Sequence, residues 1–210
     1  MCNEIPHSRL VLASKSPRRR YLLEQAGLQF DVVPSDIDES AVALDTPEAY
    51  VQRLAAAKAA AIASRFPDRW VIGADTIVLI DGKILGKPNG KTAARKMLHQ
   101  LSGQTHQVLT GVTICCHRFN KVHTEAVRTD VTFKALSPSE IEWYIHTNEP
   151  FDKAGAYAIQ GLGTFLVRSI QGSYTNVVGL PVCEVIEYLI GEGVIDRHYK
   201  TGPAKLTENE

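Results

Sequence analysis

A chain of 210 residues, 44% of them hydrophobic, can bury a real core as one large domain or as two closely joined lobes. Lys and Arg number 23 and Asp and Glu 23, so net charge is zero and the basic excess of a dedicated nucleic-acid or membrane-surface binder is missing. Met1 to His7 has no apolar signal core and no stretch is long enough to span a bilayer, so a cytoplasmic location with no nucleic-acid or membrane partner is expected.

Leu10-Val11-Leu12-Ala13 reads as a buried strand, and Ser14-Lys15-Ser16-Pro17-Arg18-Arg19 turns it into a helix. Tyr21, Leu22, Leu23 and Ala26 supply the apolar face of that helix, and Gly27 its stop. Ser16 is the N-cap, and Pro17 takes the first helical position, where its missing N–H is no loss. The charge is the odd feature, because Arg18 and Arg19 occupy a first turn whose macrodipole disfavours cations. Free N–H groups, the Ser14 and Ser16 hydroxyls and two guanidiniums converge there, which suits a bound phosphate chain. A solvated basic turn is the bland alternative.

Phe30 to Val33 forms a second short strand ending at Pro34, followed by a loop with Asp36, Asp38 and Glu39. Those carboxylates offer oxygen ligands to a hard divalent cation, or are merely a solvated acidic loop. Thr46-Pro47-Glu48 starts an Ala-rich helix that runs to about Phe66. Lys58 interrupts its alanines, either reaching a phosphate or sitting on the wet face.

Trp70 to Ile80 reads as a core strand with one acid in it, Asp75. A carboxylate there costs several kcal/mol unless paired, hydrogen-bonded or metal-bound, and perturbed acids concentrate at working sites. Gly73 and Ala74 leave room beside it. Asp81-Gly82 turns the chain back into Lys83-Ile84-Leu85, and Lys87, between Gly86 and Pro88, is a better phosphate candidate than Lys58. Gly86 to Thr92 imitates a P-loop, but its glycine spacing is one residue short and Pro88 removes a needed N–H. Thr92 reads more simply as the cap of a helix from Ala93 to Leu101 that stops at Gly103.

Two long strands, Gln107 to Cys116 and Val122 to Phe133, are joined by a polar turn at Arg118-Phe119-Asn120. Cys115 and Cys116 are adjacent there and point to opposite faces; with Cys2 and Cys183 they form no C-x-x-C pair, which fits a reducing compartment. Ser137-Pro138-Ser139-Glu140 is a capping box. A Gly-rich stretch from Gly155 to Gly179 carries two more strand-like runs, a helix follows Pro181, and the polar tail from Lys200 is expected to be loose. Histidines are scattered without metal-ligand spacing, and no G-x-S-x-G motif supports a serine hydrolase.

The alternation of strands and helices predicts an α/β protein. The expected organisation is a short extension at 1–7, one domain at 8–199, and a tail at 200–210.

Taken together, the motifs resemble the Maf family of nucleotide pyrophosphatases. The matching blocks run from Leu12 to Arg19, then Pro34 to Glu39, Gly73 to Thr76, Gly86 to Pro88, Asp152 to Gly161 and Gly172 to Pro181. The resemblance implies that 8–199 is one catalytic domain with two lobes around a nucleotide cleft, an ITPase-like fold with a mixed central sheet flanked by helices. It implies hydrolysis of a nucleoside triphosphate to monophosphate and pyrophosphate, aided by a divalent cation, Mg²⁺ or Mn²⁺. By motif, Asp75 is the proton acceptor for water, and Arg18, Thr76 and Gln160 are tied to substrate choice. Ser14, Ser16, Arg18, Arg19, Lys58 and Lys87 are the expected phosphate-binding residues, and Asp75 and Glu39 the expected metal ligands. Gln160, within Ala158-Ile159-Gln160-Gly161, is similar to the subfamily preferring dTTP and UTP, and modified pyrimidine nucleotides are also implied. The sister subfamily, preferring 7-methyl-GTP, carries Ser-Glu-Gly where this chain has Ile159-Gln160-Gly161. The rival readings are a 7-methyl-GTP pyrophosphatase, a phosphatase releasing orthophosphate, and a non-enzymatic nucleotide-binding regulator of cell division. A homodimer is a further option as a partner.

Overall fold

The computed structural model describes residues 9–39, 42 and 45–196, so the expected extension at 1–7 and tail at 200–210 lie outside the described residues. β1 (Leu10–Leu12) and β3 (Trp70–Ile80) carry apolar side chains on both faces, as strands covered from both sides do. β1 pairs in parallel with β2 (Asp31–Val32) and with β3. The remaining pairings are antiparallel: β3 with β5 (Thr105–Cys116), β5 with β6 (Lys121–Phe133), and β6 with β7 (Val167–Gln171). β4 (Lys83–Leu85) returns onto β3 through Asp81-Gly82, both left-handed as a tight hairpin requires. The result is a seven-stranded sheet in the order β2-β1-β3-β5-β6-β7 with β4 beside β3, and its mixed character is the expected one.

Alternation along the long strands sorts the core onto two faces. Val71, Ile77, Leu109 and Cys115 face α2 (Pro47–Ala63) and pack on Val51, Ala59 and Ile62. On the other face Ile72, Val112, Ile114 and Cys116 meet α1 (Pro17–Gln25) and α6 (Val182–Gly191). Further along that face Val78, Val108 and Phe133 meet α3 (Lys91–Leu101) and α4 (Pro138–His146). Cys115 and Cys116 therefore do lie on opposite faces.

Two strand glycines bring α2 close. A Cβ on Gly73 would lie 2.5 Å from the Ala55 carbonyl oxygen, and one on Gly111 2.2 Å from that of Val51. Such contact is possible only for a bare strand surface under a helix face of small side chains. It carries Lys58, buried on α2, down to β3.

Ser16, Thr46 and the Ser137–Glu140 box cap their helices as the sequence predicts. Three local expectations are corrected. α3 begins at Lys91, with Gly90 as N-cap at φ 89° and no side-chain cap, so Thr92 lies inside the first turn. α2 ends at Ala63, short of Phe66. Between Gly155 and Gly179 one strand forms rather than two, because Gly155, Gly161, Gly172 and Gly179 adopt positive φ that interrupts extended pairing. The rest of that stretch is 3₁₀ turn at Ala154–Ala156 and Gly161–Leu166, and a short helix, α5 (Tyr174–Val178). Among the described residues no helix is long and apolar enough to cross a membrane.

Candidate active site

A cleft of about 610 Å³ opens where the turn after β1, the middle of β3, the segment after β4 and residues 152–160 converge. That volume is in the range of small-molecule sites. The turn after β1 is internally braced. Ser14 Oγ accepts from the Ser16 N–H (3.1 Å) and Ser16 Oγ from the Arg19 N–H (3.4 Å), which leaves each hydroxyl its proton to donate to a ligand.

The two arginines part company. Arg18 lines the cleft and is held by Asp152, its Nη1 3.0 Å from Oδ2. Arg19 turns inward. Its Nε donates to the Gly179 carbonyl (2.7 Å), its Nη1 to Ala74 O (2.9 Å) and Ser14 Oγ (3.3 Å), and its Nη2 to Thr76 Oγ1 (3.0 Å). Burial lowers its pKa, while the nearby Asp75 charge works the other way. With most of its donors spent on protein oxygens, Arg19 braces the cleft wall that it also lines. Thr76 belongs to the same brace, its hydroxyl also 2.9 Å from Thr110 Oγ1 and 3.3 Å from Gly179 O.

Across the cleft Lys58 resolves the cost of burying Asp75. Its ammonium lies 2.7 Å from Asp75 Oδ1 and 2.7 Å from Glu39 Oε1, so one cation bridges the strand acid and the loop acid. The Lys58 hydrogen bond holds the Glu39 carboxyl below the usual glutamate range, with Lys87 and Arg19 adding to the effect. Lys58 is thus neither solvated nor idle. Of the three loop acids Asp36, Asp38 and Glu39, Glu39 reaches the cleft; Asp36 pairs with Lys15 in solvent, and neither it nor Asp38 lines the cavity.

Lys87 lines the cleft as expected, whereas Lys91 is exposed outside it, in keeping with rejection of the P-loop. Sequence reasoning missed Lys153. Its mostly buried ammonium sits 2.7 Å from the Glu149 carbonyl and 2.5 Å from Asp152 Oδ1, at the cleft wall. Burial works against the Asp152 carboxylate, but hydrogen bonds from Lys153 and Arg18 outweigh it and hold its pKa down. The signal was present in the Asp152-Lys153 pair, yet nothing local said which way it would face. Gln160, half-buried, lines the cleft from extended backbone beside the buried Ile159.

Among the described residues no group of three or more His, Cys, Asp or Glu side chains could by itself hold a metal. The Lys58 ammonium stands between Asp75 Oδ1 and Glu39 Oε1, so a divalent cation held by these two carboxylates would share them with Lys58 and take the rest of its shell from substrate phosphates and water.

Residues 9–192 match the family model described as Maf-like protein. The chain is 54% identical over 183 residues to the dTTP/UTP pyrophosphatase of Geobacter sp. (strain M21), covering 87% of this chain and 95% of that protein. It is 51% identical over 185 residues to the dTTP/UTP pyrophosphatase of Myxococcus xanthus (strain DK1622), covering 88% and 93%. A third relative, the dTTP/UTP pyrophosphatase of Syntrophus aciditrophicus (strain SB), is 50% identical over 181 residues, covering 86% and 88%. In three dimensions the chain is similar to the Staphylococcus aureus Ham1 protein, with a TM-score of 0.50 over 87% of this chain and 98% of that one. At 15% identity that likeness speaks for the fold alone.

Proposed function

The chain belongs to the Maf family, and from that premise we propose that its cleft hydrolyses dTTP and UTP to the nucleoside monophosphate and pyrophosphate. The observation that carries the reading is Asp75, a strand carboxylate at the cleft wall with Lys58 against it. Hydrolysis of an anhydride at the α-phosphorus needs one base for water and many positive charges for the phosphates. The cleft has that inventory. Asp75 takes the proton of the attacking water while Lys58 fixes its carboxylate. Arg18, Lys87 and Lys153 spread over the triphosphate and hold the charge that builds on the departing pyrophosphate. The Ser14 and Ser16 hydroxyls donate into the same region. Asp75 and Glu39 would hold a divalent cation, which supplies neutralisation of phosphate charge. The Gln160 amide donates to a pyrimidine carbonyl and accepts from its N3–H. Modified pyrimidine triphosphates with that edge intact are substrates on the same ground.

The test is a panel of nucleoside triphosphates scored for pyrophosphate against orthophosphate. Pyrophosphate release fastest with dTTP and UTP is the expected result, falling by about 10²–10⁴-fold in Asp75→Asn with nucleotide binding largely retained. Orthophosphate as product, a preference for 7-methyl-GTP, or an undiminished Asp75→Asn variant would overturn it.

A further inference from the structure

Two side chains that the chemistry above does not use grip the Gln160 turn from behind. Tyr144 lies on the buried face of α4, and Glu149 opens the 3₁₀ turn (Glu149–Asp152) that follows. The Tyr144 hydroxyl donates to Glu149 Oε1 (2.8 Å) and accepts from the Ala158 N–H (3.2 Å). Glu149 Oε2 accepts from the Leu162 N–H (3.0 Å) and Oε1 from the Gly163 N–H (3.0 Å). The pair therefore holds the chain on both flanks of Gln160, and neither member lines the cleft. The turn is shaped around the carboxylate. A Cβ on Gly161, at φ 68°, would lie 2.8 Å from Glu149 Oε2, and one on Gly163 would lie 2.7 Å from the Tyr144 hydroxyl. Burial first, then the Glu149 hydrogen bond, raises the Tyr144 pKa, so the phenol stays protonated as a donor.

An anionic acceptor makes the stronger class of hydrogen bond, and only a carboxylate accepts at both oxygens. A backbone anchored this way has little freedom to slide, and an ångström of slack at Gln160 is enough to lose a base-edge hydrogen bond. We propose that Glu149, seated by Tyr144, is a positioning residue for substrate choice, fixing where the Gln160 amide stands against the base without itself touching the nucleotide. This rests on the reading of Gln160 given under Proposed function.

Glu149→Gln keeps the shape but turns one acceptor into a donor facing an N–H or the phenol. The expected result is a roughly tenfold fall in the ratio of kcat/KM for dTTP to that for GTP, carried by KM for dTTP, with kcat little changed. Tyr144→Phe, which keeps the ring, should move the ratio in the same direction and serves if Glu149→Gln does not fold. The deciding measurement is the same substitution in a Gln160→Ala background, where the ratio should no longer respond, since residues acting through one another are not additive. An equal fall in both backgrounds, a parallel loss on dTTP and GTP, or an unchanged ratio would overturn the proposal. If Gln160→Ala alone leaves the ratio unchanged, the base-reading role of Gln160 has failed, and the positioning proposal falls with it for that separate reason.

Discussion

Replacing Gly111 by alanine would set a Cβ 2.2 Å from the Val51 oxygen, 2.3 Å from its carbonyl carbon and 2.7 Å from the Gln52 nitrogen. All three are backbone atoms of α2, so no rotamer change relieves the clash. Restoring ordinary contact requires the helix to lift by roughly 1 Å. Lys58 rides on that helix, with its ammonium 2.7 Å from both Asp75 and Glu39, and would move with it. Overpacking of this kind costs about 1–3 kcal/mol. For a domain of this size that is a fall in Tm of roughly 3–10 °C. Misplacing a group at the reacting centre by an ångström costs up to about 10²-fold in rate. Thermal unfolding by circular dichroism and steady-state kinetics well below Tm read the two effects separately. Gly191→Ala is the control, because its Cβ meets nothing within 4 Å at an ordinary φ. A Gly111→Ala protein with wild-type Tm and wild-type kcat would refute the view that this close approach positions Lys58.

Burial also sets a pH response. The His106 imidazole, bonded to the Tyr157 hydroxyl (2.7 Å), is pushed by burial from 6.5 to about 4. Between those values the unfolded chain binds a proton that the native one does not. Stability contributed by neutral His106 is therefore complete above pH 6.5 and lost as pH falls toward 4, by up to about 3 kcal/mol. Denaturant titrations at neutral and mildly acid pH should show that slope shrinking in His106→Gln; parallel profiles would exclude it. Chelation with EDTA should abolish turnover and Mg²⁺ or Mn²⁺ restore it, whereas full activity in chelator would leave Lys58, Arg18, Lys87 and Lys153 as the charge stabilisers. Gln160→Glu, left only with acceptors, should lower kcat/KM for dTTP and UTP and shift relative activity toward guanine nucleotides, and an unchanged ratio would remove Gln160 as the reader of the base.

Local chemistry made much of this legible in the sequence. A carboxylate inside Trp70–Ile80 announces a compensating partner, and Ser16-Pro17 announces a helix start, because each signal lies within a few residues. The partner itself was not legible. Lys58 looks like any lysine on an Ala-rich helix until Gly73 and Gly111 are seen as the places where that helix touches the sheet. Arg18 and Arg19 are equivalent in type and adjacent in position, yet the helix turns one toward Asp152 and the other into the carbonyls of Ala74 and Gly179. Contacts across 55 to 160 residues of chain separate them, and no local pattern encodes those. The same holds for Lys153, whose place at the cleft depends on a long-range approach. The Gly155–Gly179 stretch misled for the opposite reason, since its apolar runs look extended while its glycines take positive φ.

The central claim is that water attacks the α-phosphorus under Asp75. Hydrolysis of dTTP in oxygen-18-enriched water, with products resolved by mass spectrometry, tests it most directly. Attack at that atom places the label in dTMP and leaves pyrophosphate unlabelled. Label in the pyrophosphate, or in orthophosphate released alongside dTDP, would contradict it.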